Sequence, residues 1–168
     1  MLDDTTFLSV WYWALAIAIW SEIAAYTYGV PARQLHEAQR EGGEAAALTD
    51  ALARRFAARA DAFWRRTGAW SVAGAGATVG ALCMLAFAAG SEIALGLLLL
   101  VTPTAAVAGF GLHEALLVHK HQPSQQVLLE VLVTRRRINI AAGVASISAT
   151  ALLFVLINFD RLFPFAAL

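Results

Sequence analysis

PARQLHEAQREGGEAAALTDALARRFAARADAFWRRT, residues 31–67, is the only long polar run in a chain otherwise built of apolar blocks. Seven of the chain's twelve Lys and Arg lie in it: Arg33, Arg40, Arg54, Arg55, Arg59, Arg65 and Arg66. Gly42-Gly43 divides it into two helix-compatible halves. The second half, Glu44 to Arg66, is rich in Ala, Leu and Arg, which all favour helix. At about 100° per residue, Leu52, Phe56, Ala60, Phe63 and Trp64 share one side. Arg54, Arg55, Arg59, Arg65 and Arg66 form an adjoining arc, with Asp50 and Asp61 on the far flank. An apolar face bordered by arginines suits a helix at a membrane surface, or one packed on a neighbour with a solvated basic side.

Outward from this stretch the sequence is written for lipid. The 168 residues are 60% hydrophobic and 14% charged, with mean hydropathy +0.65. Soluble domains hold about 25% charged residues. That difference and the length of the apolar runs set the class as an all-α membrane protein. Formal net charge is zero, so nothing in bulk charge attracts nucleic acid. Cys83 stands alone in an apolar run, which excludes an intrachain disulfide or a Cys-based metal site. Asp3 and Asp4 ahead of a long apolar run do not fit a cleaved secretory signal.

Four transmembrane helices are expected, roughly 7–28, 70–89, 93–112 and 138–159. The first groups Trp11, Tyr12 and Trp13 at one end and Tyr26 and Tyr28 at the other, as aromatic side chains do at headgroup level. Gly29, Val30 and Pro31 should bend or end it. Gly76 and Gly80 in the second make a small-xxx-small pair, the pattern that lets helix backbones approach in lipid. Gly90 and Ser91 turn the chain into the third span, where Pro103 between Thr102 and Thr104 should kink the helix. Pro123 and Ser124 turn it again, Ser124 serving as N-cap of a helix that enters the fourth span. Arg135, Arg136 and Arg137 fall where that helix meets the headgroups.

Basic residues fix the orientation by the positive-inside rule. The 31–67 loop and the 113–137 segment hold nearly all of them, so both face the cytoplasm and both termini the periplasm of an inner membrane. The result is two helical hairpins with cytoplasmic helical extensions and tips at Gly42-Gly43 and Pro123.

No reaction centre is legible. His36, His113, His119 and His121 all lie away from the middle of a span, which disfavours an axial ligand to haem at depth. No phosphate-binding glycine loop, nucleophile elbow or HExxH occurs. Neither a catalytic residue nor a metal or cofactor is expected. Glu22 and Glu92 are the carboxylates in or against the spans. Glu92 suits a helix N-terminus, whereas Glu22 is a possible polar site near the cytoplasmic boundary.

From Trp11 to Gly43 the text WYWALAIAIWSEIAAYTYGVPARQLHEAQREGG resembles a family of small alphaproteobacterial four-span membrane proteins. Trp20, Gly29, Val30, Pro31, Gly42 and Gly43 carry the resemblance. Ser21, Glu22, Ala24 and Ala25 stand where the family pattern would have a polar, His-containing step. Members are described as a component of the SufBCD complex of iron–sulfur cluster assembly, which implies a partner rather than an activity. The expected role is therefore non-catalytic: an accessory, scaffold or assembly subunit of a larger membrane complex. Gly76 and Gly80 would pack helices, and Arg54, Arg55, Arg59, Arg65, Arg66 and Arg135 to Arg137 would meet anionic lipid or an acidic partner. The alternative is a small oligomeric transporter or channel using Glu22 and the Pro103 kink.

Overall fold

The computed structural model describes residues 10–157. The beginning of the expected first span, the end of the fourth and the tail from Asp160 lie outside the described residues. Five α-helices carry the described chain: α1 (Val10–Ala25), α2 (Ala32–Glu41), α3 (Gly43–Cys83), α4 (Glu92–His121) and α5 (Gln125–Ile157). Strands β1 (Tyr26–Thr27) and β2 (Val30–Pro31) pair antiparallel between α1 and α2. A π-helical turn, Met84–Ala88, extends α3.

Three of these helices are long and apolar enough to cross a membrane: α3 with its π-turn, α4 and α5. The described part of α1 is apolar but has 16 residues. At about 1.5 Å per residue the 41 residues of α3 extend roughly 60 Å, twice a hydrocarbon core of about 30 Å. The part of the polar stretch after Gly42 and the second expected span are thus one unbroken helix, since nothing between Arg66 and Trp70 stops it.

Chain reversals follow local chemistry. Thr27 pairs with Val30, leaving Tyr28 and Gly29 at φ +50° and +70° as the two central residues of a tight turn. Two successive positive φ values are the signature of a hairpin turn matched to strand twist. The helix expected to reach Tyr28 therefore stops at Ala25. Gly42, at φ +62° and ψ −143°, joins α2 to α3 in a conformation that residues with a Cβ avoid. Ser91 Oγ accepts the Ala94 amide and caps α4. Gln122 in the left-handed region ends α4, and the Ser124 carbonyl accepts the Leu128 amide as α5 begins.

Pro103 lies inside a continuous α4. The Thr104 hydroxyl donates to the carbonyls of Leu100 and Val101, both at 2.9 Å. The carbonyl that loses its helix partner to Pro103 is that of Leu99, so Thr104 reinforces the neighbouring turn instead.

Two apolar cores result. One gathers the helix ends that carry the polar residues, with Leu35, Ala53, Ala57, Val118, Leu128 and Leu132 buried together. The buried line on α3 is Ala46, Thr49, Ala53 and Ala57. The stripe expected there divides: Leu52 and Ala60 flank the contact, Phe56 stacks on Tyr28 while keeping 39% of its surface exposed, and Phe63 and Trp64 are exposed. Alanine lets the α3 backbone come close, so its smaller residues take the packed side. The second core is small: Ala16 and Trp20 of α1 meet Leu100 of α4, with Ala142 and Ile147 of α5 beside them. A Cβ on Gly143 would stand 3.0 Å from Trp20 Cε3, so the indole needs glycine on α5. The Tyr12 hydroxyl ties α1 to the Gly96 carbonyl of α4 at 3.3 Å.

The apolar half of α3 contributes to neither. From Ala69 to Ala89 no residue is buried. Around Gly74, Gly76 and Gly80 an added Cβ would meet nothing within 4 Å. The small-residue face is therefore not packed against any described part of the chain.

Candidate functional site

Between the two cores lies a cavity of about 500 Å³, within the range of about 300–1,000 Å³ usual for small-molecule sites. Its walls come from α1, the Tyr26–Pro31 hairpin, α3, α4 and α5. Most of the lining is apolar, including Ile23, Phe56, Val107 and Leu112. Glu22, Thr27, Tyr28, Arg135 and Asn139 bring polar atoms to it. Glu22, Tyr26 and Gly29 are exposed on its rim, so the cavity opens past the end of α1.

Arg135 is the main departure from the sequence reading. It was expected at the headgroups, yet only 4% of its surface is exposed. Its Nη2 donates to the Val107 carbonyl, and its Nη1 lies 3.6 Å from Glu114 Oε2. That carboxylate oxygen also accepts the Tyr28 hydroxyl at 2.6 Å. A buried guanidinium without such partners would cost several kcal/mol, so Arg135, Glu114 and the Val107 carbonyl form one interdependent unit. Gly111 makes room for it: a Cβ there would stand 3.2 Å from Arg135 Nη2.

Tyr28 joins the turn to the site. Its ring stacks on Phe56 at 5.8 Å between centroids and 13° between planes. Burial first, and then the hydrogen bond to Glu114, push the Tyr28 phenol well above its ordinary titration range. Its positive φ is uncommon for a bulky residue, and the stack and hydrogen bond hold it there. On Gly29 a Cβ would press to 3.3 Å from Phe56 Cδ2, so glycine is required beside it for space as well as φ.

Asn139 Nδ2 donates to the Ile23 carbonyl at 3.3 Å, where α1 frays into the hairpin. Asn139 Oδ1 and Thr27 Oγ1 are buried and have no hydrogen-bond partner. Because the Ile23 carbonyl can only accept, it fixes which end of the amide is the nitrogen. Buried polar atoms are nearly always paired, so these two are exceptions, on residues that belong to the cavity lining.

The remaining expected residues divide. Arg54 is an internal clamp: it holds Asp50 through Nε and Nη2 at 2.7 and 2.9 Å. It also donates to Gln122 Oε1 and the Pro123 carbonyl at 2.7 and 2.6 Å. Asp50 and Asp61, expected on the far flank, are four residues before Arg54 and Arg65 and pair with them. Arg55, Arg59, Arg65, Arg66 and Arg137 are exposed, while Arg136 is half-buried. Gly76 and Gly80 are remote from the cavity lining, and Glu22 belongs to it. His119 Nε2 is 3.8 Å from Asp61 Oδ2, and His113 and His121 are exposed on α4.

Sequence reasoning placed Tyr28 at the headgroups and did not join Tyr28, Glu114 or Asn139 to a site. One signal was present: three successive arginines on a helix fan out at about 100° steps, so they cannot all face lipid headgroups if that helix is packed. Compared with protein-family models, with curated proteins and with solved structures, the chain gives no match.

Proposed function

We propose that the chain is a four-span inner-membrane protein with a non-catalytic role, an accessory, scaffold or assembly subunit of a larger membrane complex. In this reading the first span is the one expected over residues 7–28, to which α1 belongs, and α3, α4 and α5 supply the others as two hairpins. The basic ends of the helices face the cytoplasm and both termini the periplasm. The resemblance over Trp11 to Gly43 suggests a complex of the SufBCD type as partner.

One observation carries the proposal: the apolar half of α3 is unburied along its length, with Gly74, Gly76 and Gly80 open beside exposed Trp70, Met84 and Phe87. In lipid, helix association draws on close packing at small residues, which such a face offers to a helix from another chain. The exposed Arg55, Arg59, Arg65 and Arg66 add a basic surface for anionic lipid or an acidic partner.

Gentle purification from the native membrane tests this. Stoichiometric co-purification with a larger complex, lost on Gly80→Leu, is the expected result. A second reading, a small oligomeric transporter or channel, draws on Glu22 lining the cavity together with Thr104, the neighbour of Pro103. A homo-oligomer that conducts in liposomes and stops conducting on Glu22→Gln would replace the first reading by the second. For topology, cysteines placed at Gly42 and Pro123 should be labelled from the cytoplasmic side alone; labelling from outside at either tip reverses the orientation.

A further inference from the structure

Arg135 lines the cavity, is more than nine-tenths buried, and has N–H groups to spare. Its Nη2 donates to the Val107 carbonyl, while Nη1 stands 3.6 Å from Glu114 Oε2, an ion pair without a hydrogen bond. Nε has no acceptor among the described residues. A guanidinium carries more N–H groups than these contacts use. Among the described residues the sealed, unpaired polar atoms of α5 are Arg136 Nε and Asn139 Oδ1, and no nitrogen of Arg135 is one of them. Gly111, also on the lining, keeps the space beside the guanidinium open. A Cβ there would stand 3.2 Å from Nη2, 3.7 Å from Cζ and 3.8 Å from Nε.

The other polar groups of the wall are committed, sealed or wet. The Tyr28 hydroxyl is given to Glu114, and that of Thr104 to the Leu100 and Val101 carbonyls. Asn139 Nδ2 is given to the Ile23 carbonyl. Asn139 Oδ1 and Thr27 Oγ1 have essentially no accessible surface. Glu22 is exposed on the rim, where water meets its charge, and Glu114 lies outside the lining. What the cavity offers a ligand is therefore donor capacity on Arg135, set in an apolar wall that includes Ile23, Phe56, Val107 and Leu112.

Buried donors without acceptors cost free energy, and hydrogen bonds given by a charged group are the stronger kind. A ligand that accepts from Arg135 removes that cost. A small ion alone would leave the apolar wall uncovered, whereas an alkyl chain covers it. The mouth lies past the end of α1, beside helices apolar enough to cross a membrane, so the chain can continue into lipid.

We propose that this cavity binds a single-chain amphiphile whose head accepts hydrogen bonds through oxygen, a carboxylate or a neutral carbonyl, with Arg135 as the donor that selects it. A head that only donates finds no acceptor beside Arg135 and meets the positive charge of its guanidinium. The apolar wall holds the start of the chain.

The test uses the full chain in a maltoside detergent common to every arm, at about pH 8, where a carboxylic acid is ionised and an alkylamine protonated. Dodecanoate, 2-tridecanone, dodecylamine and acetate are added separately, and bound adducts are counted by native mass spectrometry. Saturable one-to-one binding is expected for dodecanoate, for the ketone, or for both. Dodecanoate alone would identify an anionic head, and binding of the ketone a neutral carbonyl. Dodecylamine, which lacks an acceptor, and acetate, which lacks the chain, should stay at background. The double change Arg135→Met with Glu114→Gln removes the guanidinium without stranding a charge and keeps an acceptor for Tyr28. It should weaken binding about tenfold or more, the loss of a hydrogen bond from a charged donor. Ala108→Leu, on an exposed residue of the lining, narrows the cavity and leaves the Arg135 contacts intact. It should weaken the same ligands with the thermal midpoint in place. Absence of binding by both acceptor ligands, dodecylamine binding as tightly as either, or binding that neither variant weakens would overturn the proposal.

Discussion

The Tyr28 hydroxyl donates to Glu114 Oε2 at 2.6 Å, joining residues 86 positions apart in the chain. The bond fastens a two-residue turn to α4, and through the same carboxylate to Arg135 of α5. Three elements that ordinary hydropathy would separate are fixed at one point.

The ion pair within this unit should behave as buried pairs do. Arg135→Met leaves Glu114 facing an apolar wall and should lower unfolding stability in detergent by about 3 kcal/mol, the low end for a broken buried pair because Glu114 is a third exposed. The double change Arg135→Met with Glu114→Gln should recover much of that loss. A double-mutant cycle with purely additive losses would mean that the two side chains do not interact.

Tyr28 gives a pH signature. Its phenol is held above the ordinary value of about 10, so the folded chain keeps a proton that the unfolded chain releases there. The stabilisation is complete below about pH 10 and declines as pH rises further. Tyrosinate absorbance of the folded protein should therefore change little near pH 10 on Tyr28→Phe. The unfolded proteins should differ by one of the chain's three tyrosines. Stability of Tyr28→Phe should fall less steeply with pH than that of the parent.

Glycines separate by what surrounds them. Gly143→Ala presses on Trp20 at 3.0 Å and should destabilise by about 1–3 kcal/mol. Gly42→Ala meets no atom within 4 Å but must adopt a forbidden backbone, for a loss of about 1–3 kcal/mol. Gly76→Ala and Gly80→Ala meet neither obstacle and should leave the thermal midpoint of the monomer in place. A drop for the last two equal to that for Gly143→Ala would show that their face is packed within the chain.

Arg54 should act as a latch on the turn between α4 and α5. Arg54→Lys keeps the charge but loses the planar fork that grips Asp50 and reaches Gln122 and Pro123 together. Faster amide exchange over residues 119–128 is expected, with the Gly42 turn unaffected. Unchanged exchange at that turn would assign its order to packing alone.

Turn positions at Gly42, Gly90 and Pro123 were readable because each depends on a local property: positive φ at glycine, or a missing amide at proline. The long apolar helices were readable because hydropathy sums over neighbours in sequence. The end of α1 was misplaced by three residues, since Tyr26 to Tyr28 is apolar enough for helix and yields only to the turn. The Asp50–Arg54 and Asp61–Arg65 pairs were available from four-residue spacing alone.

By itself, then, the amino-acid order determined an all-helical chain, apolar over membrane-crossing lengths, with basic helix ends and defined breaks. Only tertiary structure decided that Arg135 turns inward to Glu114, that alanines line the most buried side of α3, and that Thr27 and Asn139 share one cavity. Breaks and hydropathy arise among adjacent residues. Which side of a helix is buried depends on its rotation against helices from distant sequence, and at about 100° per residue neighbouring side chains meet different surroundings.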